Sequence, residues 1–287
     1  MVRSAQRTLY GVDLDLHRLL NKTYTPLSNT TLNEKFGILT DLSPSSGVYP
    51  TIAGFVIGVG GTSTIDNNTN YVYNEHSPID GALFKHIPFV MRTVANDLTS
   101  TEKANYRLRV VETINSVQYA CYYMKTLGSN YTLSDSFYQI QTTHSVDNIS
   151  DAILTIFDNN IDSILNPEPV NRQITYDTHS EANYVLKKAT LTFNLTESDL
   201  EEIQNVMSIL GYSEQTITEI GICSGIDTTT TDGYTDVYAS QILYHVAVSF
   251  DLASDILTSY SISQGIEIGG MEPFFYGVSS SSDDDEE

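Results

Sequence analysis

The sequence lacks tryptophan and contains only two cysteines among its 287 residues. Cys121 and Cys223 lie far apart, and neither belongs to the CxxC pattern of zinc or redox sites. We expect them to pack as small apolar side chains in a protein made in a reducing cytosol, although a single disulfide between them stays open. The absence of tryptophan weakens a sugar-binding interpretation, since the 19 tyrosines substitute for it only in part.

Long apolar runs are also absent. No stretch of eighteen apolar residues occurs, so we expect no membrane span. Charged residues interrupt the first twenty positions, which argues against the apolar core of a signal peptide. These residues are Arg3, Arg7, Asp13, Asp15 and Arg18.

Basic residues are scarce and unevenly distributed. All 14 Lys and Arg residues lie between Arg3 and Lys188, together with 18 acidic residues, whereas residues 189–287 hold 18 acidic residues and no basic one. The formal net charge of −22 therefore divides into −4 for residues 1–188 and −18 for the remainder. Duplex binding requires cationic side chains that displace phosphate counterions, so we expect no direct, sequence-specific binding of nucleic acid.

The acidic part of the chain has three interpretations. It can keep the protein soluble, it can face basic surfaces of neighbouring molecules, or it can line a passage through which DNA slides without sticking. Charge alone does not separate these three.

The composition favours strands. Charged residues account for only 17% of the chain, while Thr, Tyr, Ser and Asn are abundant, which suits strands with polar loops better than helical bundles. We therefore predict a strand-dominated α+β fold, with an antiparallel sheet or β-sandwich core, a few short helices and an extended N-terminal arm.

Proline and turn-forming residues divide the chain into segments. We predict an extended arm over 1–50, a β-rich part with a hairpin over 51–175, a strand-helix-strand sheet unit over 176–278 and an acidic tail over 279–287, unless 51–278 forms one domain. Such an arm packs on a neighbouring subunit or wraps its own domain. Residues 150–158 fit either a helix or a short strand, and a boundary is expected near 167–178.

A glycine cluster in TIAGFVIGVGGTSTIDNNTN, residues 51–70, raises the question of a phosphate-binding loop. Gly58 and Gly60 fit the first two glycines of the dinucleotide-binding pattern, but Ser63 occupies the third place. A P-loop is excluded because no lysine follows at the required spacing. We therefore expect a buried strand over 52–59 that ends in a structural glycine turn and a polar loop.

Two local patterns predict particular elements. The stretch 106–124 predicts a hairpin that turns at Asn115-Ser116. Just before it, Thr99 or Ser100 is placed to cap a short helical turn.

A strand followed by a capped helix is predicted near the start of the acidic part. Residues 189–195 alternate as a half-buried strand does, Thr196 is placed to cap a helix with Asp199 at its third position, and Gly211 is placed to end it. A further short helix is predicted over 13–22.

No arrangement of residues points to a catalytic or metal site. The histidines, which lack the i, i+4 spacing of a helical zinc site, are His17, His76, His86, His144, His179 and His245. His86 and His245 lie in apolar runs and are expected to be satisfied core histidines. No Gly-x-Ser-x-Gly motif occurs, although a carboxylate pair set only in space stays open. We expect a protein that is not an enzyme and has no catalytic residue, cofactor or metal.

Residues 80–127 and 218–275 resemble virion structural proteins of tailed bacteriophages. The resemblance rests on a glycine-rich turn after a strand, the sequence Ile-Pro-Phe-Val-Met-Arg, an Asp-Leu-Thr followed by a hairpin rich in tyrosine and arginine, and a closing Glu-Pro. It covers about half of the chain and includes no catalytic signature.

The resemblance implies a non-enzymatic structural component of a bacteriophage virion that acts through subunit contacts. The implied position is the neck, the collar or the head-to-tail assembly, and roles in capsid decoration, the tail or the baseplate stay open. Its implied partners are copies of itself in a cyclic homo-oligomer and other virion proteins such as portal, connector or tail components. The implied location is the virion, after synthesis in the cytoplasm of the host bacterium. A competing interpretation is an extracellular or surface β-rich module whose loops, 62–78 and 224–235, bind calcium or a glycan.

Overall fold

The computed structural model describes residues 4–64, 71–128, 131–133, 138–144, 153–156, 180–213, 215–252 and 262–273. Strands dominate these residues, with a large antiparallel sheet and few short helices, so the predicted strand-dominated α+β class is confirmed. The chain divides into two compact units, Met1–Asn130 with Thr192–Ile266 and Tyr131–Leu191 with Glu267–Glu287. None of the described helices is long and apolar enough to cross a membrane.

A nine-stranded sheet organises the first unit. Its main path, in spatial order, is β1 (Ser4–Arg7), β15 (Ile242–Asp251), β13 (Thr216–Thr229), β2 (Thr51–Gly58), β8 (Val117–Thr126) and β6 (Val90–Thr93). Three more strands pair with this path, namely β5 (His86–Ile87) with β2, β7 (Tyr106–Ile114) with β8 and β14 (Thr235–Tyr238) with β13. A separate two-stranded sheet joins β3 (Thr62–Thr64) to β4 (Tyr71–Tyr73). Since β2 and β13 are buried along most of their length, the core lies at the centre of the large sheet.

The second unit contains strands of a five-stranded sheet. Its strands are β9 (Tyr131–Leu133), β10 (Tyr138–His144), β11 (Ile153–Ile156), β12 (Ser180–Leu195) and β16 (Ile262–Pro273), ordered β11-β10-β12-β16 with β9 also paired to β12. Of the two alternatives for 150–158, the strand is therefore the one observed. The boundary predicted near 167–178 lies outside the described residues.

A threonine precedes each of the four α-helices in the described part of the chain. The helices are α1 (Leu9–Leu19), α2 (Leu32–Phe36), α3 (Ser100–Lys103) and α4 (Glu197–Ile209), preceded by Thr8, Thr31, Thr99 and Thr196. Each threonine hydroxyl accepts a hydrogen bond from the backbone N–H three residues later, which satisfies one of the amides that a helix start leaves unpaired.

The predicted cap of α4 is confirmed in detail. Thr196 and Asp199 form a reciprocal capping box, and Gly211 follows the helix with a φ of +77°. The buried face of the helix is apolar apart from Asp199, which lies at the cap. The cap before the hairpin is Thr99, the first of the two predicted candidates.

The predicted hairpin is the antiparallel pair β7 and β8. Ile114 pairs with Val117, so the connection consists of Asn115 and Ser116, whose φ angles are +50° and +66°. Two residues with positive φ match the right-handed twist of the flanking strands, and asparagine tolerates that conformation. The hairpin therefore follows from its own local sequence.

Residues 1–50, predicted as an extended arm, belong to the first unit. β1 pairs with β15, Leu14 of α1 is buried with Tyr24 against Leu243, and Leu32 of α2 is fully buried. This segment thus contacts its own sheet. The segments predicted over 51–175 and 176–278 are each shared between the two units, and the tail over 279–287 lies outside the described residues.

Both cysteines are buried free thiols, as predicted. Cys121 and Cys223 are 0% exposed and belong to the same apolar cluster of the first unit. Burial raises the pKa of the Cys121 thiol to about 12, so the thiol stays neutral and unreactive at neutral pH.

Candidate functional site

Glu219 is the most unusual polar residue of the large sheet, because its carboxylate is buried near the start of β13. The residue is 1% exposed. Its Oε1 accepts hydrogen bonds from the backbone N–H groups of Gly60 at 2.7 Å and Lys85 at 3.0 Å, and its Oε2 accepts one from Phe84 at 3.1 Å. Burying an unpaired carboxylate would cost several kcal/mol, so these donors are what make the position tolerable.

The glycine turn is shaped around this carboxylate. A Cβ on Gly58 would lie 2.5 Å from Glu219 Oε1, and a Cβ on Gly60 would lie 2.9 Å from the same atom and 2.6 Å from Phe84 Cβ. All three distances are shorter than a Cβ atom allows. The predicted strand and glycine turn are confirmed, and the turn does receive an anion, which is a side chain of the protein itself.

His76 is the fourth hydrogen-bonding partner of the Glu219 carboxylate. Its Nε2 lies 2.9 Å from Glu219 Oε2, and its Nδ1 lies 3.2 Å from Asp80 Oδ2. Both ring nitrogens of His76 therefore lie within hydrogen-bonding distance of a carboxylate oxygen. The ring is also stacked between Phe84 and His245, each with a centroid distance of 3.9 Å and an interplanar angle of 10°.

His245 supports this arrangement from β15. Its Nε2 donates to the backbone carbonyl of Asp80 at 3.0 Å, which places the single proton of the neutral ring on Nε2. Burial lowers the pKa of His245 to about 4, so the ring is neutral at pH 7. His245 is buried, as predicted for a core histidine. Only one of its ring nitrogens has a hydrogen-bond partner, however, because Nδ1 has none among the described residues.

His86, the other predicted core histidine, has the opposite tautomer. The backbone N–H of Leu83 donates to its Nε2 at 2.9 Å, so the proton lies on Nδ1, which also lacks a partner among the described residues. Burial, followed by the nearby charge of Lys35, lowers the pKa of His86 to about 3. The ring packs edge-on against Phe36 and acts as a neutral part of the core.

A cavity of about 460 Å³ lies beside the cluster, and its walls include Glu75, His76, Glu219 and His245. The side chains of His76 and Glu219 are only 7% and 2% exposed. Their polar atoms are already engaged by backbone amides and by each other, so neither is placed to take a proton from a bound molecule. The arrangement fastens Gly60, His76 and the backbone of residues 84–85 to β13.

The acidic loops considered for calcium are used differently. Asp227 forms an ion pair with Arg107 at 2.9 Å, and Asp236, which follows the loop 224–235, accepts hydrogen bonds from the backbone N–H groups of Leu108 and Arg109. Within the described ranges, no group of three or more His, Cys, Asp or Glu side chains could hold a metal ion. Residues 65–70 of the other loop lie outside those ranges.

The remaining histidines are not brought together. His17 contacts Asp13 within α1, His144 is the last residue of β10, and His179 lies outside the described residues. The sequence analysis did not identify Glu219 as a site residue, nor that His76 connects it to Asp80. The available signal was a single carboxylate within Ile217–Ile222 of a predicted strand, a stretch that contains three isoleucines.

These features define a two-unit, strand-dominated protein whose histidine-carboxylate cluster is directed inward and stabilises a glycine turn. The chain belongs to a family of unknown function, DUF7208, whose model matches residues 2–282. No curated protein and no solved structure matches the chain.

Proposed function

We propose that the protein is a non-enzymatic structural component of a bacteriophage virion, in the neck, the collar or the head-to-tail assembly, that acts through contacts between subunits. The observation that carries the proposal is a concentration of exposed apolar side chains near the N-terminus. Of the fifteen large apolar side chains that the described residues expose, eight lie within residues 9–48. Clustered exposed apolar groups mark interaction surfaces, whereas single ones do not.

Two further observations support the proposal. The buried cluster of Glu219, His76 and Asp80 is engaged inside the fold, which agrees with a structural role for the groups that most resemble catalytic ones. All 14 Lys and Arg residues lie within residues 1–188, so basic side chains of that part can face the acidic side chains of residues 189–287 in a neighbouring molecule. The assignment to a phage particle rests on the resemblance of residues 80–127 and 218–275 to virion structural proteins.

The contacts implied are of two kinds. Copies of the chain associate in a cyclic homo-oligomer, in which repetition of one head-to-tail interface around an axis multiplies a weak contact. Portal, connector or tail proteins then bind the resulting ring.

The test has two measurements on the full-length chain. Light scattering behind a sizing column, at low and high protein concentration, is expected to give a discrete multiple of the monomer mass. Mass spectrometry of particles purified on a density gradient, from a culture that produces the phage encoding the chain, is expected to detect it in stoichiometric amounts. A monomer at every concentration together with absence from the particles would refute the proposal. Calcium added during thermal unfolding serves as the control for the calcium-binding alternative, which predicts a higher melting temperature.

A further inference from the structure

The cavity beside Glu219 has a floor that the large sheet provides. Glu219 of β13 pairs with Ala247 of β15, and His245 of β15 pairs with Gln6 of β1. Directly paired residues share a face of a sheet, as do residues two apart in one strand, so these four side chains lie on the same side. All four line the cavity of about 460 Å³, and the short side chain of Ala247 leaves room for it.

The chain from Tyr73 to His76 forms a second wall, which is held in place by hydrogen bonds. The backbone N–H of Asn74 donates to the carbonyl of Gly61 at 3.0 Å, and its side-chain amide donates to the carbonyl of Gly60 at 2.8 Å. Glu75 lies between Asn74 and the anchored imidazole of His76, and it lines the cavity. The wall therefore has its shape before anything binds.

Two hydrogen-bond acceptors of the lining have no partner among the described residues. One is the carboxylate of Glu75, which is exposed. The other is Nδ1 of His245, although that residue is only 3% exposed. Because Nε2 of the neutral ring carries the proton, Nδ1 has a lone pair that requires a donor. Buried polar atoms nearly always have a partner, so the donor for Nδ1 has to come from a molecule held in the cavity.

The charge of the lining indicates what kind of molecule fits. Its carboxylates are those of Glu75 and Glu219, and none of the described residues that line it is Lys or Arg. Glu219 already has four hydrogen-bonding partners, so the unpaired charge is that of Glu75. The ring of Tyr73, also in the lining, adds an aromatic surface that attracts cations. Since no group of three metal-binding side chains occurs in the described part of the chain, an organic cation with N–H donors fits better than a metal ion.

We infer that this cavity binds a primary ammonium group, which donates to Nδ1 of His245 and pairs with Glu75 while its carbon chain lies against Ala247. The site is separate from the subunit contacts of the proposed function, so it stands or fails independently of them. The ammonium group belongs either to a small free amine or to a lysine side chain of another protein. An ion pair that water screens contributes little, so binding is expected to be weak and to decrease with added salt.

Nitrogen NMR of the full-length chain, isotopically labelled at histidine, tests the site at pH 7. The Nδ1 signal of His245 is assigned by its loss in His245→Gln. Titration with butylammonium chloride is expected to give a saturable upfield shift of this signal, because its lone pair accepts a hydrogen bond. Butanol, which lacks the charge, and tetramethylammonium, which lacks N–H groups, are expected to leave the signal in place. No saturable shift with butylammonium, which would leave water as the occupant, or an equal shift with either control compound, would overturn the inference.

Three variants locate the binding. Glu75→Gln is expected to weaken butylammonium binding about two- to fivefold, as loss of an exposed ion pair does. The matched control is Glu201→Gln, at an exposed position on α4, which is expected to leave the affinity unchanged. Ala247→Leu fills the cavity and is expected to abolish the shift, with a urea midpoint showing that the variant remains folded. Equal affinity in Glu75→Gln and its control, or binding retained by a folded Ala247→Leu, would contradict the assignment of the site.

A second probe distinguishes the two sources of the ammonium group. Nα-acetyl-lysine methylamide has a lysine side chain with a peptide bond on each side. If it shifts the His245 signal as butylammonium does, the cavity admits a lysine side chain of another protein. If butylammonium alone shifts the signal, the ligand is a small free amine. Either result supports an ammonium site.

Discussion

Replacement of Glu219 by glutamine removes the charge that holds the glycine turn while preserving side-chain volume. The carboxylate accepts three backbone N–H groups and faces His76 Nε2. In Glu219→Gln, the amide oxygen can replace only one carboxylate oxygen, and the NH₂ group is directed at two donors that previously had an acceptor. Hydrogen bonds to charged groups contribute about 1.5–3 kcal/mol each, so losing two of them predicts a loss of about 3–6 kcal/mol in the free energy of unfolding.

The assay is urea unfolding of Glu219→Gln with linear extrapolation, combined with hydrogen exchange at the amides of Gly60, Phe84 and Lys85. All three amides are expected to exchange faster. The matched control is Glu201→Gln, an exposed glutamate of α4, which is expected to change stability by less than about 0.5 kcal/mol. If Glu219→Gln lost less than about 1 kcal/mol and the three amides kept their protection, the account of the cluster would be refuted.

Three other measurements test separate parts of the structure. The folded pKa of His245, about 4, lies below its ordinary value of 6.5, so the unfolded chain binds the proton first as the pH falls. Relative to His245→Gln, the free energy of unfolding is therefore expected to fall by about 1.4 kcal/mol per pH unit between pH 6.5 and pH 4. Urea unfolding midpoints of both proteins at several pH values measure this. The same dependence of stability on pH in both proteins would contradict it. Gly58→Ala is expected to lower the free energy of unfolding by about 1–3 kcal/mol, because the added Cβ would collide with Glu219. Gly128→Ala is the control: its Cβ would lie in open space at a φ of +59°, so only the backbone cost of about 1 kcal/mol is expected. Equal losses of stability in the two variants would exclude the steric explanation. Thr196→Ala is expected to cost about 1 kcal/mol and to fray the first turn of α4, and Thr196→Ser is the control that keeps the hydroxyl.

Several elements could be predicted because their causes lie within a few residues of each other. The capping box of Thr196 with Asp199 spans one helical turn, and the Asn115-Ser116 turn sets the register of the β7 and β8 hairpin. The strand ending at the glycine turn was also predictable, since its apolar run and turn formers adjoin each other in the chain. Secondary structure that depends on local hydrogen bonds and turn geometry can be predicted from a short stretch of sequence.

The candidate site could be predicted only in part. The glycines were recognised as structural, but what they accommodate is the carboxylate of Glu219, about 160 residues further along the chain. His76 and His245 had no mutual spacing that would suggest stacking. Their meeting depends on β13 and β15 pairing beside each other, and strand order is a property of the whole sheet.

Sequence by itself determined the strand-rich class, the helix caps, the hairpin and the uneven charge. These features depend on composition and on hydrogen bonds between residues close together in the chain, so they do not require the tertiary structure. Tertiary structure alone decided that Ser4–Arg7 pairs with β15, that a buried glutamate fills the glycine turn, and that α1 keeps one apolar face exposed. These outcomes depend on contacts between residues far apart in the chain. Their free energy comes from burial and pairing that exist only once the sheet has formed.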